Sequence, residues 1–424
     1  MSTSTSQTVI PQTVIVGGGF TGLFTALYLS HQRYIGQVVL IDQSERFVFK
    51  PLLFELLSGQ MEMDQVCPTY QELLQGSGTT FVQDTIQTID LVKRRVELAS
   101  GSHYRYTNLV LALGSITSYF GTPGAAEHSF AFRSGEEAIA LRHQLRQLLQ
   151  RASQTEDSET RRKLLTIAII GAGPTGVELA ATMADGLPDW YAMLGGNPHE
   201  IRIVLINRGP QILSGDANEG LRETALKALQ QRKVPVELLT DAPVTALGPG
   251  RVEFTHAGQA ATLDAEIIIW TAGTATHPLV KNLPIPDAHR DKHGRPFIVP
   301  TLHLMGYPDV FAGGDCVTQQ KPEPALAQVA YQQAKAIAQN LVNLSAGEVP
   351  RVGHVLLRGT LMKLGAEAAA ADIFNRYEIT GKLGHTIRHL TYLEMLPTPA
   401  HDLKVTAEWL SEEVFHRAKR TIDP

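Results

Sequence analysis

An α/β chain with two Rossmann-like dinucleotide-binding domains and a C-terminal α/β tail carrying amphipathic helices is predicted by three observations. A strand–GxGxxG–helix unit spans Thr13–Leu29, a second spans Leu165–Met183, and each half repeats the same order of later signals. In the first unit the apolar strand Thr13–Val16 runs into Gly17-Gly18-Gly19-Phe20-Thr21-Gly22. A helix with Leu23, Ala26, Leu27 and Leu29 follows, and the strand Val38–Ile41 ends at Asp42, 20 residues past Gly22. Gly17 permits the tight turn, Gly19 lets main chain approach a pyrophosphate, and Gly22 lets helix and strand pack closely. The start of the helix offers unpaired N–H groups to phosphate, and a carboxylate at Asp42 can accept ribose hydroxyls.

Short strands are expected at Phe81–Val82 and Arg95–Leu98, and a buried one at Leu109–Leu113, ending at Gly114. A helix is read over Glu136–Arg151, then a polar linker over Gln154–Arg162. The strand Leu165–Ile170 opens the second unit, with Gly171-Ala172-Gly173-Pro174-Thr175-Gly176 and a helix bearing Val177, Leu179, Ala180 and Met183. Its second strand, Ile201–Ile206, ends in Asn207-Arg208 with no carboxylate. An acid there would repel a 2′-phosphate, whereas Arg208 can pair with one, so NADPH is expected to be accepted. The plainer alternative is that Asn207 opens a turn and Arg208 is solvated. Ile267–Trp270 closes this half at Gly273, as Leu109–Leu113 closed the first. Val310–Asp315, with Gly314, returns to the first type of signal and a helix follows over Ala325–Leu344. In the tail, Val355–Leu357 and Ala368–Ile373 read as strands. The expected division is 1–115 and 291–345 for the first dinucleotide domain, 116–160 as connector, 161–290 for the second, and 346–424 as tail.

Composition narrows the function. The 424 residues are 43 % hydrophobic and 19 % charged, ordinary for folded cores. A net charge of −5 gives no basic field for nucleic acid. Cys67 and Cys316 are far apart and form no CxxC, which argues against a disulfide scaffold, a structural zinc site or the usual dithiol centre; no metal site is expected. The N-terminal stretch lacks a signal-peptide pattern, and no apolar run is long enough to cross a bilayer. Two dinucleotide folds in one polypeptide imply a relay, with one tightly held FAD taking hydride from an exchangeable NAD(P)H.

The motifs carry a family resemblance over nearly the whole chain. TVIVGGGFTGL at Thr13–Leu23, FKPLLFELLSG at Phe49–Gly59, IIGAGPTGVELA at Ile169–Ala180, WTAG at Trp270–Gly273 and VFAGGD at Val310–Asp315 together resemble the type II NAD(P)H:quinone oxidoreductases. The resemblance implies that Gly17, Gly19, Gly22, Asp42, Gly114, Gly314 and Asp315 contact FAD. It places Gly171, Gly173, Gly176, Gly273 and Glu178 on the nicotinamide side, with Glu178 orienting the nicotinamide or assisting proton delivery. Lys363 would lie near the flavin's polar edge. Pro324–Gln333 resembles the family's AQxxxQ quinone motif, with Gln328 and Gln332 one helical turn apart; spacing alone favours a plain core helix of Ala and Gln, and the resemblance is what implies a quinone role. The tail segments Ile387–Pro399 and Asp402–Leu410 look most like the cyanobacterial and plastid branch that reduces demethylphylloquinone, which implies two-electron reduction of a membrane naphthoquinone without proton pumping. The departure at Asn207, where NADH-specific members commonly carry Glu, bears on the choice of nicotinamide.

A prenylated quinone requires access to lipid. Leu383, Ile387, Leu390, Leu393 and Leu396 recur at helical spacing, interrupted by His385, Arg388 and His389. Val405, Trp409, Val414 and Phe415 suggest a second stripe, with Lys404, Arg417, Lys419 and Arg420 nearby. Such helices can lie on a bilayer, which would make this a peripheral protein on the cytoplasmic face of the plasma or thylakoid membrane. The same stripes would equally pack onto the domain or onto a second subunit in a homodimer. The competing enzymatic readings are a sulfide or dithiol reductase, which needs a reactive thiol pair, and a ferredoxin-type reductase. A flavoprotein that senses NAD(P)H without turnover shares every dinucleotide motif.

Overall fold

The computed structural model describes residues 11–215, 217–365, 368–373, 377–399, 401–402 and 405–406. The fully apolar runs become interior strands of parallel sheets, because both faces of such a strand are covered by other elements. Strand β1 (Gln12–Val16) pairs in parallel with β2 (Gln37–Asp42) on one side and with β4 (Asn108–Leu111) on the other, and β3 (Thr79–Gln83) flanks β2. Helix α1 (Phe20–His31) makes the crossover, and the short helix α2 (Leu53–Ser58) follows β2. Helix α3 (Gly135–Ser153) opens with a capping box in which Ser134 and Glu137 bond each other's main chain.

The second half is built alike. Strands β5 (Thr166–Ile170), β6 (Arg202–Ile206), β7 (Glu237–Leu239) and β8 (Ile267–Trp270) form a parallel sheet in the order β7-β6-β5-β8. Its crossover is the long helix Pro174–Met193. The chain then returns to the first sheet. Strands β9 (His303–Leu304) and β10 (Tyr307–Ala312) add beside β4, giving the order β9-β10-β4-β1-β2-β3. An antiparallel ribbon of Ser115–Thr117 with Thr274–Thr276 ties the exit of β4 to the exit of β8. The carboxyl ends of the two sheets are thereby brought side by side, where open α/β sheets bind their ligands.

Three local expectations are corrected. Half of the polar stretch read as a linker is a helix, α4 (Ser158–Leu164): Asp157 caps it by accepting the Thr160 N–H at 2.8 Å, and Arg161, Arg162 and Lys163 suit its C-terminal end. Val355–Leu357 forms no strand, because its main chain is bonded by side chains of the neighbouring helix α6 (Ala327–Ser345). The long crossover helix is α5. In the tail, β11 (Gly359–Lys363), β12 (Ala369–Ile373) and β13 (Tyr377–Thr380) form a small antiparallel sheet that precedes α7 (Gly381–Glu394). The leucine stripe on α7 divides. Leu383 and Leu390 face outward at 62 % and 61 % exposure, while the inward face carries Gly384, Arg388 and Tyr392. Of the second expected stripe, Val405 is buried, while Trp409, Val414 and Phe415 and the basic residues Lys404, Arg417, Lys419 and Arg420 lie outside the described residues. Among the described residues no helix is long and apolar enough to cross a membrane.

Candidate active site

The first glycine turn is forced by packing. Gly17 holds φ at +96°, and a side chain there would stand 2.5 Å from the Ala112 carbonyl oxygen. At Gly22 a Cβ would overlap the Gly17 carbonyl oxygen, so α1 can approach β1 only with glycine at that position. Around Gly19, by contrast, the space is open, and α1 starts there with no side-chain cap. Uncapped helix N–H groups beside open main chain make a phosphate cradle. Asp42 sits at the end of β2, where its carboxylate accepts the Gly18 N–H at 2.6 Å and the Ser44 N–H at 2.8 Å. Burial pushes its carboxyl up and these bonds oppose the rise.

The returning strand completes the cradle from the far side. Asp315 follows β10, and Ser115 Oγ donates to its Oδ2 at 3.2 Å. Arg133 donates from Nη2 to Ser115, Gly314 N–H donates to Gln333 Oε1 at 2.7 Å, and Gly114 holds φ at +61°. Lys50 was missed by sequence reasoning although it stands inside the Phe49–Gly59 motif. Its side chain is solvent-accessible, yet surrounding protein desolvates it and lowers its ammonium pKa, with Arg133 adding to the effect. Arg133 is similarly lowered by burial, opposed by Asp315 and Glu137. An open helix start, a ribose-side carboxylate and the neighbouring cations Lys50 and Arg133 beside Asp315 fit an adenine dinucleotide.

The second turn repeats the geometry with one change of charge. Gly171 holds φ at +104°, a Cβ at Gly176 would overlap the Gly171 carbonyl oxygen, and Gly173 is open and uncapped, with Pro174 starting α5. Asn207 stands where Asp42 stands in the first site. Its Oδ1 accepts the Ala172 N–H at 3.4 Å, and its amide nitrogen bonds the Gly209 and Gln211 carbonyls. It thus holds the turn without bringing negative charge. Arg208 lies over the Phe120 ring at 6.0 Å, close to Gly273.

Between the two sites lies a buried ion cluster that sequence reasoning recognised only in part. Glu55 of α2 accepts from Arg388 Nη1 of α7 at 2.6 Å and lies 3.1 Å from Lys363 Nζ of β11. Lys363 also donates to Gln60 at 2.9 Å, and Arg388 to the Pro51 carbonyl at 2.6 Å. Lys363 and Arg388 have no solvent exposure. Burial opposes ionisation of Glu55, but the charges of Arg388 and Lys363 outweigh it and hold the carboxyl well below the usual range. Glu178, on the second turn of α5, accepts the Lys363 main-chain N–H at 2.8 Å. Desolvation pushes its carboxyl up to about 7 despite Arg388 and that hydrogen bond. It keeps partial access to solvent and stands beside Lys363 as an acid pushed toward neutrality. Tyr392 and the His385–His389 pair, with ring centroids 4.1 Å apart, complete the α7 side. The only sequence signal for Glu55 and Arg388 was a charge embedded in each apolar run.

Gln328 and Gln332 behave differently from a pair of free amides. Gln328 Nε2 donates to the Gly359 carbonyl at 2.7 Å and its Oε1 accepts the Arg358 N–H at 3.1 Å. Gln332 bonds both the N–H and the C=O of Leu356, at 2.9 and 3.0 Å. Here the two side chains hold the 356–359 segment against α6. Cys67 and Cys316 are both buried, and desolvation pushes each thiol up to about 12, so neither is a thiolate nucleophile. Among the described residues no cluster could hold a metal ion.

The glycine packing gives a direct prediction. Gly22→Ala should abolish binding of a dinucleotide in the first site, because the added methyl drives α1 away from β1; near-normal flavin absorbance after purification would contradict the role given to this turn.

Residues 11–334 match the pyridine nucleotide-disulphide oxidoreductase family. The chain is 32 % identical to a demethylphylloquinone reductase of Synechocystis sp., over 95 % of this chain and 96 % of that one. It is also 32 % identical to an alternative NAD(P)H-ubiquinone oxidoreductase of Arabidopsis thaliana, over 95 % of this chain and 81 % of the relative. In fold it superposes on NDH2 of Plasmodium falciparum in complex with NADH with a TM-score of 0.85 at 17 % identity, covering 96 % and 99 % of the two chains. The sulfide:quinone oxidoreductase of Aquifex aeolicus superposes with a TM-score of 0.73 at 18 % identity, covering 97 % and 96 %. The chain belongs to the pyridine nucleotide-disulphide oxidoreductase family and, within it, to the type II NAD(P)H:quinone oxidoreductases.

Proposed function

We propose that the chain holds FAD tightly in the first site, takes NADPH or NADH in the second, and reduces a membrane naphthoquinone of the demethylphylloquinone type by two electrons without pumping protons. The observation that carries this is the ribbon Ser115–Thr117/Thr274–Thr276, which sets two open glycine turns side by side with the Glu55–Lys363–Arg388–Glu178 cluster near their junction. The relative from Synechocystis, matched over almost its full length, supports the choice of quinone. A flavin supplies hydride acceptance from nicotinamide and two-electron release to a quinone. The chain's residues do the rest. Asp42 accepts ribose hydroxyls, the N–H groups beginning α1 and α5 face phosphates, and Lys50 and Arg133 neutralise charge in the first cleft. Glu178 holds a proton near neutral pH beside Lys363. Gln328 and Gln332 position the Leu356–Gly359 segment, which borders the site.

The membrane side of the reading rests on exposed apolar residues near that segment. Leu356 and Leu357 are exposed, as are Leu383 and Leu390 of α7, and the Arg358–Glu394 pair links the two elements at 2.7 Å. This face would rest on the cytoplasmic side of the plasma or thylakoid membrane, and a second copy of the chain is the alternative cover.

Steady-state assays with quinones running from short-chain benzoquinones to demethylated naphthoquinones test the substrate. The highest kcat/KM is expected for the naphthoquinones, and a benzoquinone preference would contradict that part. For the nicotinamide, Arg208→Ala should raise KM for NADPH by about tenfold, the size of one charge-assisted hydrogen bond, and leave NADH little changed. A strong NADH preference untouched by the substitution would overturn the role of Arg208.

A further inference from the structure

Phe120 is an exposed aromatic residue in an uncommon conformation at a functional glycine. It is 63 % exposed and holds φ at +52°, a region that side chains other than Asn, Asp and His rarely adopt. Such outliers persist only where the surroundings impose them, and they cluster at functional sites. Here the surroundings are identifiable. Trp270 Nε1, at the end of β8, donates to the Ser118 carbonyl at 2.9 Å, and the Ser118 N–H donates to the Gly273 carbonyl at 3.3 Å. The Phe120 N–H is turned back onto Ser118 Oγ at 3.4 Å. The segment before the ring is therefore fixed to the closing strand of the second sheet, and the ring is delivered onto Gly273.

That contact is close. A Cβ at Gly273 would overlap the tip of the Phe120 ring, so the ring rests on the glycine main chain itself. On its other side the ring meets Arg208, whose guanidinium carbon stands 6.0 Å from the ring centroid. Gly273 follows β8 and Arg208 follows β6, so the ring bridges the carboxyl ends of two strands that flank the β5–α5 glycine turn. Hydrophobic collapse does not explain the placement, because most of the ring faces solvent.

We propose that Phe120 is a specificity-determining residue of the second dinucleotide site: its ring covers Gly273 and competes with a nucleotide phosphate for Arg208. The inference rests on the reading that this site takes NAD(P)H. A dinucleotide lying along the ends of β5, β6 and β8 displaces the ring from Gly273, and only one with a 2′-phosphate also takes over the guanidinium. Binding of NADPH therefore breaks the cation–π contact, and binding of NADH, which has no 2′-phosphate, leaves it in place. Phe120 therefore lowers the affinity for both nucleotides and sets how much of the Arg208 charge is available to discriminate between them.

The test is a double-mutant cycle on the flavin-loaded full chain, measuring Kd for NADP⁺ and NAD⁺ by equilibrium titration. Phe120→Ala is expected to tighten NADP⁺ by about fivefold, the size of an exposed cation–π contact, and NAD⁺ by less. In an Arg208→Ala background the selective gain for NADP⁺ should vanish. Phe120→Leu keeps apolar bulk at the position without a π face and should also raise the NADP⁺ to NAD⁺ affinity ratio. Flavin absorbance reports that each variant is folded. A ratio that stays within twofold of wild type in both Phe120→Ala and Phe120→Leu overturns the proposal. Wild-type protein that binds neither nucleotide overturns the reading of the site beneath it, and the two failures are told apart by that wild-type titration alone.

Discussion

Glu55→Gln is expected to destabilise the protein by about 3–5 kcal/mol and to lower the thermal midpoint by about 5–10 °C. Glu55 is the shared carboxylate of Arg388 and Lys363, and all three side chains are buried. An amide there leaves two desolvated cations without their counter-charge, and removing one partner of a buried ion pair costs far more than the intact pair contributes. The three groups come from α2, β11 and α7, so the loss should appear first as release of the tail, seen as protease sensitivity beyond residue 345. The sign of the pH dependence follows from the carboxyl being held low. Its stabilisation is present above the usual carboxylate range and disappears only as pH falls through the lowered value. The difference between wild type and Glu55→Gln should therefore persist between about pH 5 and 8 and narrow only in strong acid. A midpoint within 1–2 °C, as an order-of-magnitude margin, would show that the cluster contributes nothing to the tail's docking.

Glu178→Gln should lower quinone turnover by about 100-fold with flavin content unchanged. The side chain is desolvated on α5 and its carboxyl is pushed up to about 7, so near neutral pH it can still hold a transferable proton. Below that value Glu178 is protonated and able to donate; above it the group is ionised, so quinone reduction should fall as pH rises through about 7. Gln accepts the Lys363 N–H through its carbonyl oxygen but has no acidic proton, so the variant should lose this limb of the pH profile. The first turnover of NADPH oxidation, followed without quinone, should be much less affected. An unchanged alkaline limb in the variant would assign the titration to another group. Because Glu55 raises the Glu178 carboxyl, Glu55→Gln should also shift the wild-type limb to lower pH.

The two glycine turns were legible because their chemistry is local. A GxGxxG between an apolar strand and a helix admits few other structures, and Asp42 and Asn207 each sit at the end of the second strand of their unit. The return of Val310–Asp315 to the first sheet was legible as a repeat of its signals, although the pairing of β10 with β4 joins residues some 200 apart. The ion cluster was not legible, since Glu55, Lys363 and Arg388 lie in three separate segments and each looks alone like a charge interrupting an apolar stripe. Arg388 was read as a break in the α7 stripe; it is the residue that faces inward. Helical periodicity finds a stripe but not which side of it meets protein. Gln328 and Gln332 show the converse limit. Their spacing places them on one face, but nothing in the pattern of Leu356–Gly359 signals that its main chain will pair with these two amides. Phe120 escaped because nothing in Ser118-Tyr119-Phe120 signals that Trp270 will fix it over Gly273.

The most direct test of the whole account is anaerobic addition of NADPH to the purified protein, followed by a demethylated naphthoquinone, with the flavin absorbance recorded throughout. The expected result is a yellow protein that bleaches with about one equivalent of NADPH and regains its colour when the naphthoquinone is added. A protein that is colourless and does not take up added FAD, or whose yellow colour is unmoved by either nicotinamide nucleotide, would contradict the passage of electrons between the two sites.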